Sequence, residues 1–76
     1  MTPKLPVISG EDLIKAFSKF GYVAVRQQGS HVRMRHPTDA QQQPVTVPQH
    51  KTLKRGLLCR TLREARISVD QLTEVL

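Results

Sequence analysis

Three histidines, His31, His36 and His50, stand in a 76-residue chain beside twelve Lys+Arg, six Asp+Glu and a single cysteine. Those residue types restrict the available chemistry. The histidines are 5 and 14 residues apart, with no cysteine pair, no His-x-x-x-His and no carboxylate set around them, so the spacing forms no recognised zinc pattern. Cys59 falls in an apolar helical pattern and is expected to be buried and inert, which disfavours a cysteine nucleophile. No glycine-rich phosphate loop precedes a helix, and acidic residues are too few for a two-metal phosphoryl site. Histidine with arginine and lysine remains. That set suits cleavage of RNA by its own 2′-hydroxyl. The reaction needs one proton removed from that hydroxyl, one supplied to the departing 5′-oxygen, and cations around the developing phosphorane. Imidazole, with a free pKa of about 6.5, can do either proton job at neutral pH, and guanidinium or ammonium groups supply the electrostatic part.

His31 is the leading candidate. It follows Gly29-Ser30, where glycine permits close backbone approach, and alternation places it on one strand face with Arg33 and Arg35. His36, followed by Pro37, falls in the opposite, apolar-face register and is expected to serve packing or loop structure. His50 lies in a basic loop with Lys51, Lys54 and Arg55, where phosphate contact, a second proton transfer and simple solvation all stay open. Gly29, Ser30, Arg26, Arg33, Arg35, His50, Lys51, Lys54 and Arg55 together form the expected RNA-contacting set.

The elements that must position these side chains follow from periodicity. Met1 to Ile8, with Pro3 and Pro6, reads as an extended lead-in. Ser9, with Asp12 three residues on, has capping-box spacing; Leu13, Ile14, Phe17 and Phe20 then recur at helical spacing until Gly21, predicting a helix over about 10–20. Tyr22 to Gln27 and His31 to His36 alternate apolar and polar residues around a glycine and predict a hairpin, with Val23 and Val25 on the core face of its first strand and Tyr22, Ala24 and Arg26 on the other. The polar stretch 37–43, with its glutamine run, is expected to be the most mobile loop. Pro44 to Val47 predicts a short third strand, bounded by prolines that argue for an edge or a strand end. A second helix is expected over about 56–65. Ser68 and Gln71, again at capping-box spacing, start a last short helix that must dock on the domain or on a partner. Three strands with one valine-rich face need helical cover, so the expected class is α+β, with helices on one side of an antiparallel sheet.

Length allows one domain, spanning 1–76. The net charge is +6, and the excess lies between Arg26 and Arg66, where nine basic residues face two acidic ones; 67–76 carries only Asp70 and Glu74. A basic middle suits a polyanion or an acidic protein surface. One cysteine permits no internal disulfide, and no apolar run reaches the ~18 residues of a membrane span, so a soluble cytoplasmic protein with no membrane partner is expected.

Gly29-Ser30-His31, Arg35-His36-Pro37, Val45-Thr46-Val47-Pro48-Gln49-His50, Lys54-Arg55-Gly56-Leu57-Leu58, Leu62-Arg63-Glu64-Ala65 and Ile67-Ser68 occur in this order. Over about 9–76 the chain resembles the HicA (YcfA-like) mRNA interferase toxins of type II toxin–antitoxin systems. The resemblance implies a double-stranded-RNA-binding-like α-β-β-β-α fold and metal-independent endoribonuclease action on mRNA, without a cofactor. It also implies a single catalytic histidine falling on His31, and a HicB-like antitoxin covering the active face. Operator DNA would be met only indirectly, through the antitoxin complex. The chain departs from the family pattern at Leu57, where threonine is usual, and at Arg66, where glycine is usual; neither touches His31. A non-catalytic RNA-binding module, or a protein-interaction or DNA-binding domain, would use the same basic surface. Against the first, the chain has only Tyr22 and two phenylalanines to stack on bases; against DNA binding, no helix-turn-helix spacing precedes the arginine-rich second helix.

Overall fold

In the computed structural model, which describes residues 5–76, the Ser9 hydroxyl accepts from the Asp12 backbone N–H at 3.1 Å and opens α1, Gly10–Lys19. Of the expected lead-in, residues 1–4 lie outside the described residues; 5–9 have no regular structure, and Leu5 and Ile8 pack against the core. α1 closes where Gly21, at φ +96°, lets its own N–H reach Ser18 O while Tyr22 N–H reaches Phe17 O, a Schellman arrangement. Leu13, Ala16 and Phe17 form its buried stripe.

The chain then forms β1 (Val23–Gln28), β2 (His31–Arg35) and β3 (Val45–Pro48), antiparallel in the order β1-β2-β3. Two helices follow, α2 (Arg55–Ala65) and α3 (Val69–Val75). Val32 and Met34 of β2, and Val45 and Val47 of β3, meet Leu13, Phe17, Leu58, Leu62 and Leu72 in one core. The helices cover one sheet face, as an α-β-β-β-α chain with a short additional C-terminal helix. α3 docks on the domain itself: Ser68 and Gln71 make a reciprocal capping box, Leu72 is fully buried, and Lys19 Nζ donates to Val75 O at 2.7 Å. Thr61, the one buried polar residue among those described, donates its hydroxyl to Leu57 O at 2.7 Å.

β1 departs from the expected alternation. Val23 and Val25 are 50% and 56% exposed, whereas Tyr22 is 2% exposed. The register explains why. Counting from the hairpin turn, Gln28 pairs with His31, Gln27 with Val32 and Arg26 with Arg33, but Ala24, not Val25, then pairs with Met34. Val25 is the extra residue of a β-bulge, and the bulge reverses the parity of everything before it. Val23 therefore comes opposite Arg35, and Tyr22 enters the core. There its ring lies 5.2 Å from Phe17, and its hydroxyl donates to Gln43 O at 2.7 Å. Burial, with smaller contributions from Asp39 and Glu64, raises the Tyr22 phenol pKa above its ordinary value of 10.0.

The glutamine run makes tertiary hydrogen bonds that its composition does not announce. Gln42 Nε2 donates to Ala65 O at 2.9 Å and Gln43 N–H to Glu64 O at 3.0 Å, so the loop satisfies the end of α2. Arg66 follows that end at φ 57°, the left-handed conformation that glycine adopts without steric cost. Its guanidinium reaches Gln41 Oε1 at 3.4 Å, a long and exposed contact. Substituting Arg66→Gly is therefore expected to stabilise the fold by about 1 kcal/mol. A urea midpoint that rises with an unchanged m-value checks this; an unchanged or lower midpoint shows that the arginine contacts outweigh the backbone strain.

Candidate active site

β2 sends its side chains alternately to the two faces of the sheet. Val32 and Met34 go to the helices; His31, Arg33 and Arg35 go to the uncovered face. Gly29 and Ser30 make the two-residue turn that sets this register, with Gly29 at φ +60° and Ser30 at negative φ, the pattern of a type II′ hairpin turn. Space does not demand glycine here, since nothing lies within 4 Å of where a Cβ would stand; the dihedral does.

On the open face, two rows of cross-strand neighbours lie side by side. One is Gln28–His31–Pro48; the other is Arg26–Arg33–Thr46, in which Arg33 donates to the Thr46 hydroxyl at 3.0 Å. The rows bound a groove of about 390 Å³ lined by Arg26, Gln28, His31, Arg33 and Thr46. Beyond Thr46 a second depression of about 260 Å³ shares Arg33 and Thr46 and adds Arg60, Thr61 and Glu64 from α2. A cationic track thus crosses the strands from Arg26 through Arg33 to Arg60. Among the described residues the only salt bridge is the exposed Lys15–Glu11 pair on α1, so none of these guanidiniums has a carboxylate partner.

His50, two residues beyond β3, stands near His31 without lining this groove. Its ring centroid lies 6.5 Å from that of His31, with the rings at 69°. Its backbone is held by the carbonyl, which accepts from Gly10 N–H at 2.9 Å, and the preceding Gln49 N–H donates to Ser30 O at 2.7 Å. Gln27 Nε2 adds bonds to Gly29 O and Gln49 Oε1 at 3.1 and 3.2 Å, fastening the hairpin tip to the same segment.

His36 is elsewhere and does different work, as its register suggested. Its Nε2–H donates to Phe20 O at 3.1 Å while Nδ1 accepts from the Asp39 N–H at 3.0 Å, a pair of bonds that requires the Nε2–H tautomer. The ring stands edge-on to Tyr22 at 5.4 Å, and a Cβ on Gly21 would fall 2.8 Å from its Nε2. It is a structural clasp between the α1 exit and the loop after β2.

The expected contact set is accordingly divided. Arg26, His31 and Arg33 share the groove. Arg35 lies on the same strand face but lines a separate depression with His36, Asp39 and Gln42. Gly29 and Ser30 build the turn, and Lys51, Lys54 and Arg55 are exposed at the entry to α2, outside the groove lining. Gln28, Thr46 and Arg60 were not anticipated; only the cross-strand register and the placement of α2 bring them in. Cys59 is half-buried. Among the described residues, no three His, Cys, Asp or Glu side chains converge as a metal-binding set would.

This is a small basic α+β protein whose uncovered sheet face carries histidine among arginines. The family model for the HicA toxin of bacterial toxin–antitoxin systems matches residues 10–67. The chain belongs to that family and has its general role, the toxin of a toxin–antitoxin pair. α3 lies beyond the matched span. No curated protein and no solved structure matches the chain.

The two histidine environments predict opposite phenotypes in folding. His36→Ala removes a part-buried side chain that makes bonds at both ring nitrogens, and is expected to lower stability by about 1–3 kcal/mol. His31→Ala removes an exposed ring for which no hydrogen bond is formed, and should stay within about 0.5 kcal/mol of the parent. Chemical denaturation of the two variants checks this; equal losses would mean that His31 also has a structural task.

Proposed function

We propose that this toxin is a metal-independent endoribonuclease that cleaves mRNA and so arrests translation, with His31 exchanging a proton at the scissile linkage. The observation that carries the reading is the company His31 keeps: one groove joins an unbonded, exposed imidazole to Arg26 and Arg33, with no carboxylate to neutralise them. A strand end that served only for packing would gain nothing from that arrangement, because close uncompensated cations repel one another. A phosphodiester provides the missing negative charge.

Arg26 and Arg33 hold the scissile phosphate and stabilise charge as the phosphorane forms. Arg60 continues the track along the RNA backbone, and Arg35, His50, Lys51, Lys54 and Arg55, with the turn residues Gly29 and Ser30, border the approach. Phe17 and Tyr22 are buried and Phe20 is half-buried, so recognition rests on phosphate and 2′-hydroxyl groups rather than on stacking against these rings. No step in this chemistry calls for a metal ion.

A HicB-like antitoxin inhibits by covering the open sheet face, placing acidic groups where phosphates would lie, and operator DNA is contacted through that complex. The substrate places the action in the cytoplasm. No helix among the described residues is long and apolar enough to cross a membrane.

The test is cleavage of a defined mRNA by purified His31→Ala protein, with growth measured on induction. Cleavage is expected to fall by about 10²–10⁴-fold and growth arrest to disappear, with folding and antitoxin binding retained. Parent activity should survive a chelator. Full cleavage by H31A excludes His31 from the chemistry, and loss of parent activity in chelator excludes the metal-independent route.

A further inference from the structure

We infer that His50 is the second proton-transfer group, so that His31 and His50 divide the two proton transfers of RNA cleavage between them. The inference rests on the endoribonuclease reading above and departs from the single catalytic histidine that the family resemblance implies, adding a second residue and its role. Three observations carry it. The rings are 6.5 Å apart at 69°, close enough for both to meet one phosphodiester without contacting each other. Neither ring forms a hydrogen bond within the described residues, whereas His36 in the same protein uses both its nitrogens.

The third is that His50 is held by groups other than its own side chain. Its carbonyl accepts from Gly10, and Gln49 is bonded to Ser30 beside His31. At Gly10 a Cβ would stand 1.9 Å from Pro48 O. The chain thus omits a side chain at the start of α1, and the segment carrying His50 lies against the turn that precedes His31. A loop histidine needed only for solubility would require no such anchorage.

The step balances with two imidazoles. In-line attack places the 2′-oxygen and the departing 5′-oxygen on opposite sides of phosphorus, so one side chain cannot sit at both in the transition state. One neutral imidazole takes the 2′-hydroxyl proton as the O2′–P bond forms. One imidazolium gives its proton to O5′ as the P–O5′ bond breaks. The products are a 2′,3′-cyclic phosphate and a 5′-hydroxyl, with no oxidant, metal or protein nucleophile consumed. Arg26 and Arg33 line one groove with His31, so that ring works in a cationic setting. That setting favours binding of a phosphate beside His31, within 6.5 Å of which the His50 ring stands.

The experiment compares parent, His31→Ala, His50→Ala and His50→Gln on one RNA at its mapped cleavage site, and on the same RNA with sulfur replacing the 5′-bridging oxygen there. A thiolate leaves without being protonated, so this substrate no longer needs a general acid. His50→Ala is expected to cut turnover on the natural linkage by about 10²–10⁴-fold at saturating RNA, with the melting temperature near the parent's. His50→Gln, which keeps hydrogen bonding without a group that titrates near neutral pH, should fall equally. On the sulfur substrate, whichever single histidine is the acid should have its alanine variant restored to near parent rate, while the other variant stays impaired. Parent-like cleavage of the natural RNA by His50→Ala or His50→Gln overturns the inference, and so does rescue of both alanine variants or of neither. If His50 proves dispensable while His31→Ala is inactive, only this inference fails; if His31→Ala is active, the underlying reading fails first.

Discussion

At Gly10 the first turn of α1 lies so close to the end of β3 that a side chain would collide with the Pro48 carbonyl, 1.9 Å from the position of a Cβ. Much of the open face depends on that approach. It lets Gly10 N–H reach His50 O, and the next bond along, Gln49 N–H to Ser30 O, ties the same segment to the hairpin turn. One helix start, one strand end and one turn are thereby locked together, and His31 and His50 both stand on the locked parts. Pro48 is buried at this junction opposite His31 and has no N–H to donate, which suits the last residue of an edge strand.

Electrostatics and packing divide the molecule by face. On the helical side, apolar residues of all three helices and two strands close the core, and no buried side-chain polar atom among the described residues lacks a partner. On the other side, Arg26, Arg33 and Arg35 form no salt bridge among the described residues, and Arg60 extends the charge onto α2. Such crowding opposes folding slightly and favours an anionic partner strongly. The stability that tolerates it comes from the opposite face and from well-made ends: Ser9 and Ser68 caps, and Schellman closures after α1 and α2.

Much of this was legible in the sequence, and the exceptions have physical causes. Gly21, Ser9 and the Ser68/Gln71 pair announced helix ends because capping is local chemistry. The register of β2 followed from strict alternation, and it separated His31 from His36 correctly. β1 failed because Val23 and Val25 alternate as core valines do, while one bulged residue reverses their parity. The competing demand was the burial of Tyr22 against Phe17 with its hydroxyl bonded to Gln43 O. A tertiary contact overrode a local pattern. The glutamine run looked like low complexity, yet two of its members finish the α2 terminus. Arg60 and Thr46 entered the site through helix placement and cross-strand pairing, and the nearness of His50 to His31 required the Gly10 approach; none of these has a local signal.

Histidine-centred cleavage through the 2′-hydroxyl leaves a chemical record in its products. The most direct measurement is mass-spectrometric analysis of the fragment ends made by the purified parent protein, using an RNA and its counterpart with a single 2′-deoxy nucleotide at the cleavage site. The expected result is a 2′,3′-cyclic phosphate (or its 2′- or 3′-phosphate hydrolysis product) and a 5′-hydroxyl, with cleavage abolished at the deoxy position. Fragments ending in 3′-hydroxyl and 5′-phosphate, or undiminished cleavage of the deoxy-substituted RNA, would contradict it.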